Sequence, residues 1–354
     1  MPSRPADWPD LNPDQRAAVT ASMDPQLVVA GPGTGKTRVL VCRAAHLIEH
    51  EAVTPSRLVL VTFTRRAAQQ LTSRLAALVG PEAQHVRAGT IHHFCYKTLR
   101  AHSALAGVPD DFIVVDDTVT DAFWQRWYEA HERWCEANDL HSYRQVKTHV
   151  SRIKLGIDTV SGRLTEGLRA YGEMLGDRGA LDFDDLLVKT RDLLRNHPDT
   201  RADLVDDTGA VLVDEFQDTD PVQFDIIRRL GEAGAHLYCV ADDDQSVYRF
   251  CGARPANLCR YIERFDCTEA RGTSSPPTIV RTAPSTRGPT GATWPSSRAG
   301  TAASRPWSAT ASAPASPVRR ARARRSWIPL RRRSCTPCSA SSMPAVAAGR
   351  STPP

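Results

Sequence analysis

The sequence predicts an α/β fold: an open parallel sheet carrying a mainly helical insertion, followed by a disordered C-terminal tail. Three observations lead there. Short β-branched apolar runs alternate with helical periods, one of these runs opens onto a glycine-rich turn and a helix, and the composition changes abruptly near residue 270.

The runs are LVVA (27–30), LVLVTF (58–63), AVLVD (210–214) and LYCVA (237–241). Nearly continuous apolar runs of this length suit strands covered on both faces, as in a parallel sheet. Between them, KTRVLVCRAAHLIEH (36–50) and RAAQQLTSRLAALV (66–79) have helical apolar spacing, which predicts crossover helices. From about 100 to 200 the text is charged, aromatic and helical in period, as in AFWQRWYEAHERWCEAND and YRQVKTHVSRIK, with no convincing strand run. This reads as an insertion, with Phe123, Trp127 and Trp134 packing inside it. The expected division is 1–100 and 201–268 for the α/β lobe, 101–200 for the insertion and 269–354 for the tail.

Residues 271–354 hold 14 arginines and no Asp, Glu, Lys, Asn, Gln, His, Phe or Tyr. So little apolar surface cannot offset the entropy of ordering, and disorder is expected. A GC-rich gene read out of frame yields such a composition; a genuine basic tail is the other reading. The whole chain is +5, so the body without the tail is net acidic. General basicity is thereby excluded as its route to nucleic acid, although a local basic groove is not. The N-terminus lacks the apolar segment of a signal peptide, and no run approaches the roughly 18 apolar residues of a membrane span. Nine scattered cysteines fit reduced thiols and a cytoplasmic protein. Cys335 and Cys338 form a C-x-x-C without a second pair, so no metal site is expected there.

AGPGTGKT (30–37) has the spacing of a phosphate-binding loop, with Ala30 where the strict pattern has glycine. The turn from Gly31 through Pro32, Gly33 and Thr34 to Gly35 lets backbone N–H groups approach phosphates at the start of a helix. Lys36 would reach the β- and γ-phosphates and the Thr37 hydroxyl would ligate Mg²⁺. In VLVDEFQDTD (211–220) an apolar strand ends in paired acids. Asp214 is thereby placed to hold Mg²⁺ and Glu215 to polarise a water, which implies hydrolysis of ATP rather than transfer to a hydroxyl. VADDDQSVYRFCGA (240–253) again leaves a strand. It offers Gln245 as a γ-phosphate sensor and Tyr248 and Phe250 as stacking faces.

Taken in order, LNPDQ, AGPGTGKT, VTFTRRAA (61–68), GTIHHFC (89–95), LDFDDLL (181–187), DEFQDTD and DDDQSVYRF resemble the motifs of the UvrD/Rep/PcrA-type superfamily 1 DNA helicases. The resemblance covers residues 11 to about 266. It implies a P-loop RecA-like lobe that hydrolyses ATP with Mg²⁺ and moves along single-stranded DNA, or DNA with a single-stranded tail, in the 3′-to-5′ direction during repair or recombination. It also implies that Gln15 reads adenine, that Arg38 joins the P-loop in the ATP site, and that Gln245 couples hydrolysis to motion. Phe63, Thr64, Arg65, Arg66, Thr90, His92, Tyr248 and Phe250 would line the DNA path. Three departures stand out. Arg65-Arg66 replaces the family's Asn-Lys, Phe250-Cys251 replaces its Trp-Arg, and only Ser275, Pro276, Ile279 and Val280 match the first motif of a second lobe. A truncated ATP- and DNA-binding fragment without helicase activity is therefore the alternative.

Overall fold

Four of the strands are those expected from the apolar runs. The computed structural model describes residues 11–242 apart from Pro32 and Ser161, residues 256–266, and the backbone of two strands at 268–271 and 279–282. The strands are β1 (Gln26–Val29), β2 (Leu58–Val61), β3 (Arg87–Gly89), β4 (Ile113–Val114), β5 (Ala180–Leu181), β6 (Ala210–Val213), β7 (His236–Ala241), β8 (Thr268–Arg271) and β9 (Ile279–Thr282). Seven of them form one sheet in the order β3-β2-β6-β7-β1-β9-β8. From β3 to β1 every pairing is parallel, so the carboxyl ends of five strands share one edge.

Side chains alternate along these strands between two cores. Leu27, Val29, Val59, Val61, Val211, Val213, Leu237 and Cys239 belong to one. Val28, Leu58, Leu60, Leu212, Tyr238 and Val240 belong to the other. Because both sets are apolar, the runs look continuous in sequence. Helices α1 (Pro13–Val19), α2 (Lys36–Glu49) and α3 (Arg65–Val79) cover the second face. Helix α4 (Ile91–Ala101) covers the first, followed by the single turn α5 (Ser103–Ala106).

Helices α6 (Asp117–Ala130), α7 (Glu132–Glu136), α8 (Tyr143–Lys154) and α9 (Arg163–Gly176) build a third core around Trp124, Trp127, Val146, Val150, Leu164, Tyr171 and Leu175. Phe123 and Trp134 pack against it. A Cβ on Gly167 would lie 2.7 Å from Trp127 Nε1, so only glycine allows α9 to approach this indole. The two-residue strands β4 and β5 pair in parallel beside it; strands so short carry no readable period. The chain returns through α10 (Phe183–Asn196) and α11 (Pro198–Asp207), whose Leu186, Leu187, Leu193, Leu194 and Leu204 join the sheet's first core. That face is completed by α12 (Pro221–Glu232) and α13 (Ala256–Phe265), through residues such as Ile226 and Tyr261.

Composition starts the tail at residue 269, yet β9 pairs antiparallel with β1 and β8 with β9. Ile279 and Val280 are adjacent β-branched apolar residues, which suits them to β9, a strand paired on both sides between β1 and β8. The rest of the tail lies outside the described residues. Among those described, no helix is long and apolar enough to cross a membrane.

Candidate functional site

The P-loop leaves β1 at Ala30, whose N–H donates to Ala241 O at 3.0 Å. Gly33 (φ 77°) and Gly35 (φ 87°) adopt left-handed backbone that turns the chain into α2. The first turn of α2 has amides without an intrahelical acceptor, the usual cradle for phosphate. Thr37 and Arg38 are half-buried on that turn, and Pro32 lies outside the described residues.

Lys36 is tied down. Its Nζ donates to Ala30 O at 3.0 Å, Gly31 O at 3.2 Å and Asp242 Oδ2 at 2.7 Å. The two side chains of this ion pair are 10% and 1% exposed. Asp242 directly follows β7, and its own N–H donates to Gln217 Oε1 at 2.8 Å. Gln217 Nε2 in turn donates to Glu215 Oε2 at 2.7 Å. A continuous polar chain thus runs from the P-loop lysine through Asp242 and Gln217 to Glu215. Glu215 has φ 51°, a left-handed conformation costing a residue with a Cβ about 1–2 kcal/mol. Strain of this kind concentrates at functional positions.

Asp214 ends β6, with its N–H donated to Val61 O at 2.9 Å. Its carboxylate is buried, and Oδ1 has no hydrogen-bond partner. Burial, then the charge of Glu215, pushes this carboxyl up to about 6, while Lys36 and Arg74 pull it down. A buried acid with an orphaned oxygen and an acidic neighbour is short of positive charge, and this fits a divalent cation. Among the described residues no group of three His, Cys, Asp or Glu side chains could hold a metal alone. Mg²⁺ typically takes one or two protein oxygens, with waters and phosphates completing the octahedron. Asp214 and Thr37 suit that arrangement.

Gln15 sits over the loop. Its Nε2 donates to Thr34 O at 2.8 Å, and its Oε1 accepts from Asn12 N at 3.1 Å in a capping box. A Cβ on Gly35 would come within 3.1 Å of that Nε2. An amide carries two N–H groups and two lone pairs, so one donor and one acceptor remain for a base.

Farther along the same edge are the ends of β2 and β3. Phe63 is 41% exposed. Thr64 caps α3 by accepting from Ala67 N at 3.1 Å, and Arg65 and Arg66 are exposed beside it. Thr90 caps α4, accepting from His93 N at 3.3 Å. His92 meets Phe183 edge-on, with ring centroids 5.7 Å apart. Burial pulls its imidazole down to about 4, so His92 is neutral near pH 7 and offers a ring face rather than a cation. Gln245, Tyr248 and Phe250 lie outside the described residues.

Three residues went unassigned from sequence. Phe183 is 47% exposed, unusual for its type, and it opens α10 directly after the capping Asp182. Gln217 and Asp242 are seen only through their partners; three consecutive acids at 242–244 give no sign of which one meets Lys36.

Residues 11–266 match the UvrD/REP helicase N-terminal domain. The ATP-dependent DNA helicase PcrA of Staphylococcus epidermidis is 30% identical over 264 residues, covering 72% of this chain and 36% of that protein. DNA helicase II of Escherichia coli K12 is 33% identical over 266 residues, 73% and 37% of the two chains. The ATP-dependent DNA helicase srs2 of Schizosaccharomyces pombe is 30% identical over 289 residues, 73% and 32%. The chain spans about a third of the length of the curated relatives it matches.

Proposed function

The chain belongs to the UvrD/REP helicase N-terminal domain family, and on that premise we propose that it is the first motor lobe of an ATP-dependent DNA helicase. Its substrate is single-stranded DNA or a duplex with a single-stranded tail, travelled 3′ to 5′, in repair or recombination and in the cytoplasm. The lobe comprises 1–100 and 201–268; the insertion, drawn at 101–200, centres on the core from Val115 to Ala180, since Leu186 to Leu204 pack with the sheet.

The observation that carries this reading is the convergence of Lys36, Asp214, Glu215 and Asp242 at the ends of adjacent parallel strands. Such an edge is where open α/β sheets take ligands. The phosphates of ATP would draw Lys36 from Asp242 to the β- and γ-positions. Asp214 and Thr37 would hold Mg²⁺, which when bound neutralises phosphate charge. Glu215, oriented by Gln217, would accept a proton from the attacking water, and Gln245 would sense the γ-phosphate. Phe63, Phe183, Tyr248 and Phe250 offer stacking faces for bases. Thr64, Arg65, Arg66, Thr90 and neutral His92 offer contacts to the strand, a division suited to sequence-tolerant movement.

For the 354-residue polypeptide itself, tail composition favours a second reading. A segment without one acidic residue does not supply a second lobe's acids, which leaves ATP and DNA binding without unwinding. Titration with labelled single strands tests the shared core of both readings. Affinity should fall steeply with salt through counterion release and depend little on base sequence. Tyr248→Ala should cost about 1–3 kcal/mol. Tight binding to one particular duplex sequence contradicts the proposal.

A further inference from the structure

Arg43 is a buried arginine, 0% exposed, two turns along α2 from Lys36. Its guanidinium fork gathers the chain at the end of α1. Nη1 donates to Val19 O at 2.9 Å and Ala21 O at 2.6 Å, and Nη2 donates to Ser22 O at 2.9 Å. Nη2 also lies 3.1 Å from His236 Nε2, while His236 Nδ1 lies 2.8 Å from Met23 O. Burial, then the Arg43 charge, holds His236 down at about 3, so it is neutral. With Nδ1 donating to Met23 O, its Nε2 is the acceptor for Arg43. The ring of Tyr238 lies 5.5 Å from the guanidinium carbon, and the Tyr238 hydroxyl donates to Ala18 O at 3.1 Å. Among the described residues, no ion pair to a carboxylate accounts for this cation. Its partners are neutral: the Val19 carbonyl at the negative end of the α1 dipole, the Ala21 and Ser22 carbonyls just beyond it, and His236 Nε2.

Helix α1 has only seven residues and would be marginal alone. Its other end carries Gln15 at the third helical position, with the side-chain amide on Thr34 O. Helix α2 therefore fixes two things: the P-loop at its N-terminus and, through Arg43, the axial position of α1.

We infer that Arg43, supported by Tyr238 and His236, is a positioning residue for base recognition, setting where Gln15 meets the purine relative to the phosphates. The inference rests on the assignment of Gln15 to the adenine edge. It says that α2 acts as a ruler between the phosphate and base ends of one nucleotide.

The test is the ratio of ATP to GTP affinity in the 354-residue chain, with inorganic tripolyphosphate as a probe of the phosphate end alone. Gln15→Ala should lower the ratio about tenfold, roughly the worth of one specific hydrogen-bonded pair. Arg43→Lys keeps the charge but cannot span the fork's carbonyls. It should lower the ratio about three- to tenfold, leave tripolyphosphate affinity within about twofold, and add nothing in the Gln15→Ala background. Tyr238→Phe, which deletes one hydroxyl, should lower the ratio about threefold and decides the matter if Arg43→Lys does not melt cooperatively. An unchanged ratio in a folded Arg43→Lys and in Tyr238→Phe, with the ratio lost in Gln15→Ala, overturns this inference alone. An unchanged ratio in Gln15→Ala overturns the base-reading assignment, and the inference with it. A parallel fall in tripolyphosphate affinity reduces Arg43 to a support of the loop and also overturns it.

Discussion

Asp242→Asn should make the protein bind ATP more tightly. Lys36 is bound to Asp242 at 2.7 Å in a nearly buried setting, and phosphates that take up Lys36 must draw that cation away. At an effective dielectric near 20, two unit charges so close attract by about 6 kcal/mol, but desolvation cancels much of it. A hydrogen bond to a charged group nets about 1.5–3 kcal/mol. Asparagine keeps the shape and an acceptor while removing the competing charge. If most of that net energy is released, ATP affinity rises about tenfold and at most about a hundredfold. The nucleotide-free protein should lose a similar free energy, so that ATP stabilises the variant more than the parent. Titration calorimetry and melts with and without ATP measure both sides of this linkage. Weaker ATP binding by Asp242→Asn, with an unchanged nucleotide-free melt, would refute the reasoning, because Asp242 would then be helping to hold the nucleotide.

Lys36→Ala should abolish nucleotide binding, whereas Glu215→Gln should keep binding and lose hydrolysis in a chain supplied with a second lobe; equal ATP binding by both variants would end that division of roles. Asp220 caps α12, accepting from Val222 N at 2.8 Å and Gln223 N at 2.9 Å, and burial pushes its carboxyl from 3.8 up to about 6. The folded state therefore holds this proton more tightly than the unfolded one. The stability it contributes is fully present below about pH 4 and lost as pH rises through about 6, on the order of 3 kcal/mol. Asp220→Asn, which still caps, should flatten that slope in denaturant melts between pH 4 and 7, and parallel slopes for the two proteins would contradict the cause given. The 354-residue chain should show at most weak ATPase activity and no strand separation, since arginines of a second lobe are worth roughly 10³–10⁵ in rate in related phosphoryl transfer. Brisk DNA-stimulated hydrolysis by the purified chain is the result that refutes this, and reading the gene near codon 273 in all frames tests the out-of-frame account of the tail.

The strands β1, β2, β6 and β7 were legible because both of their faces are buried, which makes continuous β-branched runs. Strand β3, Arg-Ala-Gly with all three residues half-buried, has no such signature. Its place on the sheet follows from hydrogen bonds to β2 that local composition does not encode. Candidates marked by a particular residue type at a fixed spacing, such as Lys36, Thr37, Asp214 and Glu215, could be picked out. Residues that act through distant partners could not. Arg43 reads as an ordinary helix arginine until Val19 and His236 are beside it, and Gln217 reads as part of an acidic turn until Asp242 is. The insertion's aromatic core was visible in its helical period, but not the glycine at 167 that admits Trp127.

The pairing of β1 with β7 joins Gln26 to Tyr238, and that spacing has a consequence for synthesis. At about 5–20 residues per second, roughly 210 residues take on the order of 10–40 s to emerge. During that interval Leu27, Val28 and Val29 have left the ribosome without their parallel neighbour. The insertion closes its core over a much shorter stretch of chain, so it can condense while the first strands still wait. Birth of this protein is thus a race between late strand pairing and capture of this exposed apolar segment by other nascent chains. Chaperones and translation speed bear on its yield before any nucleotide meets Lys36.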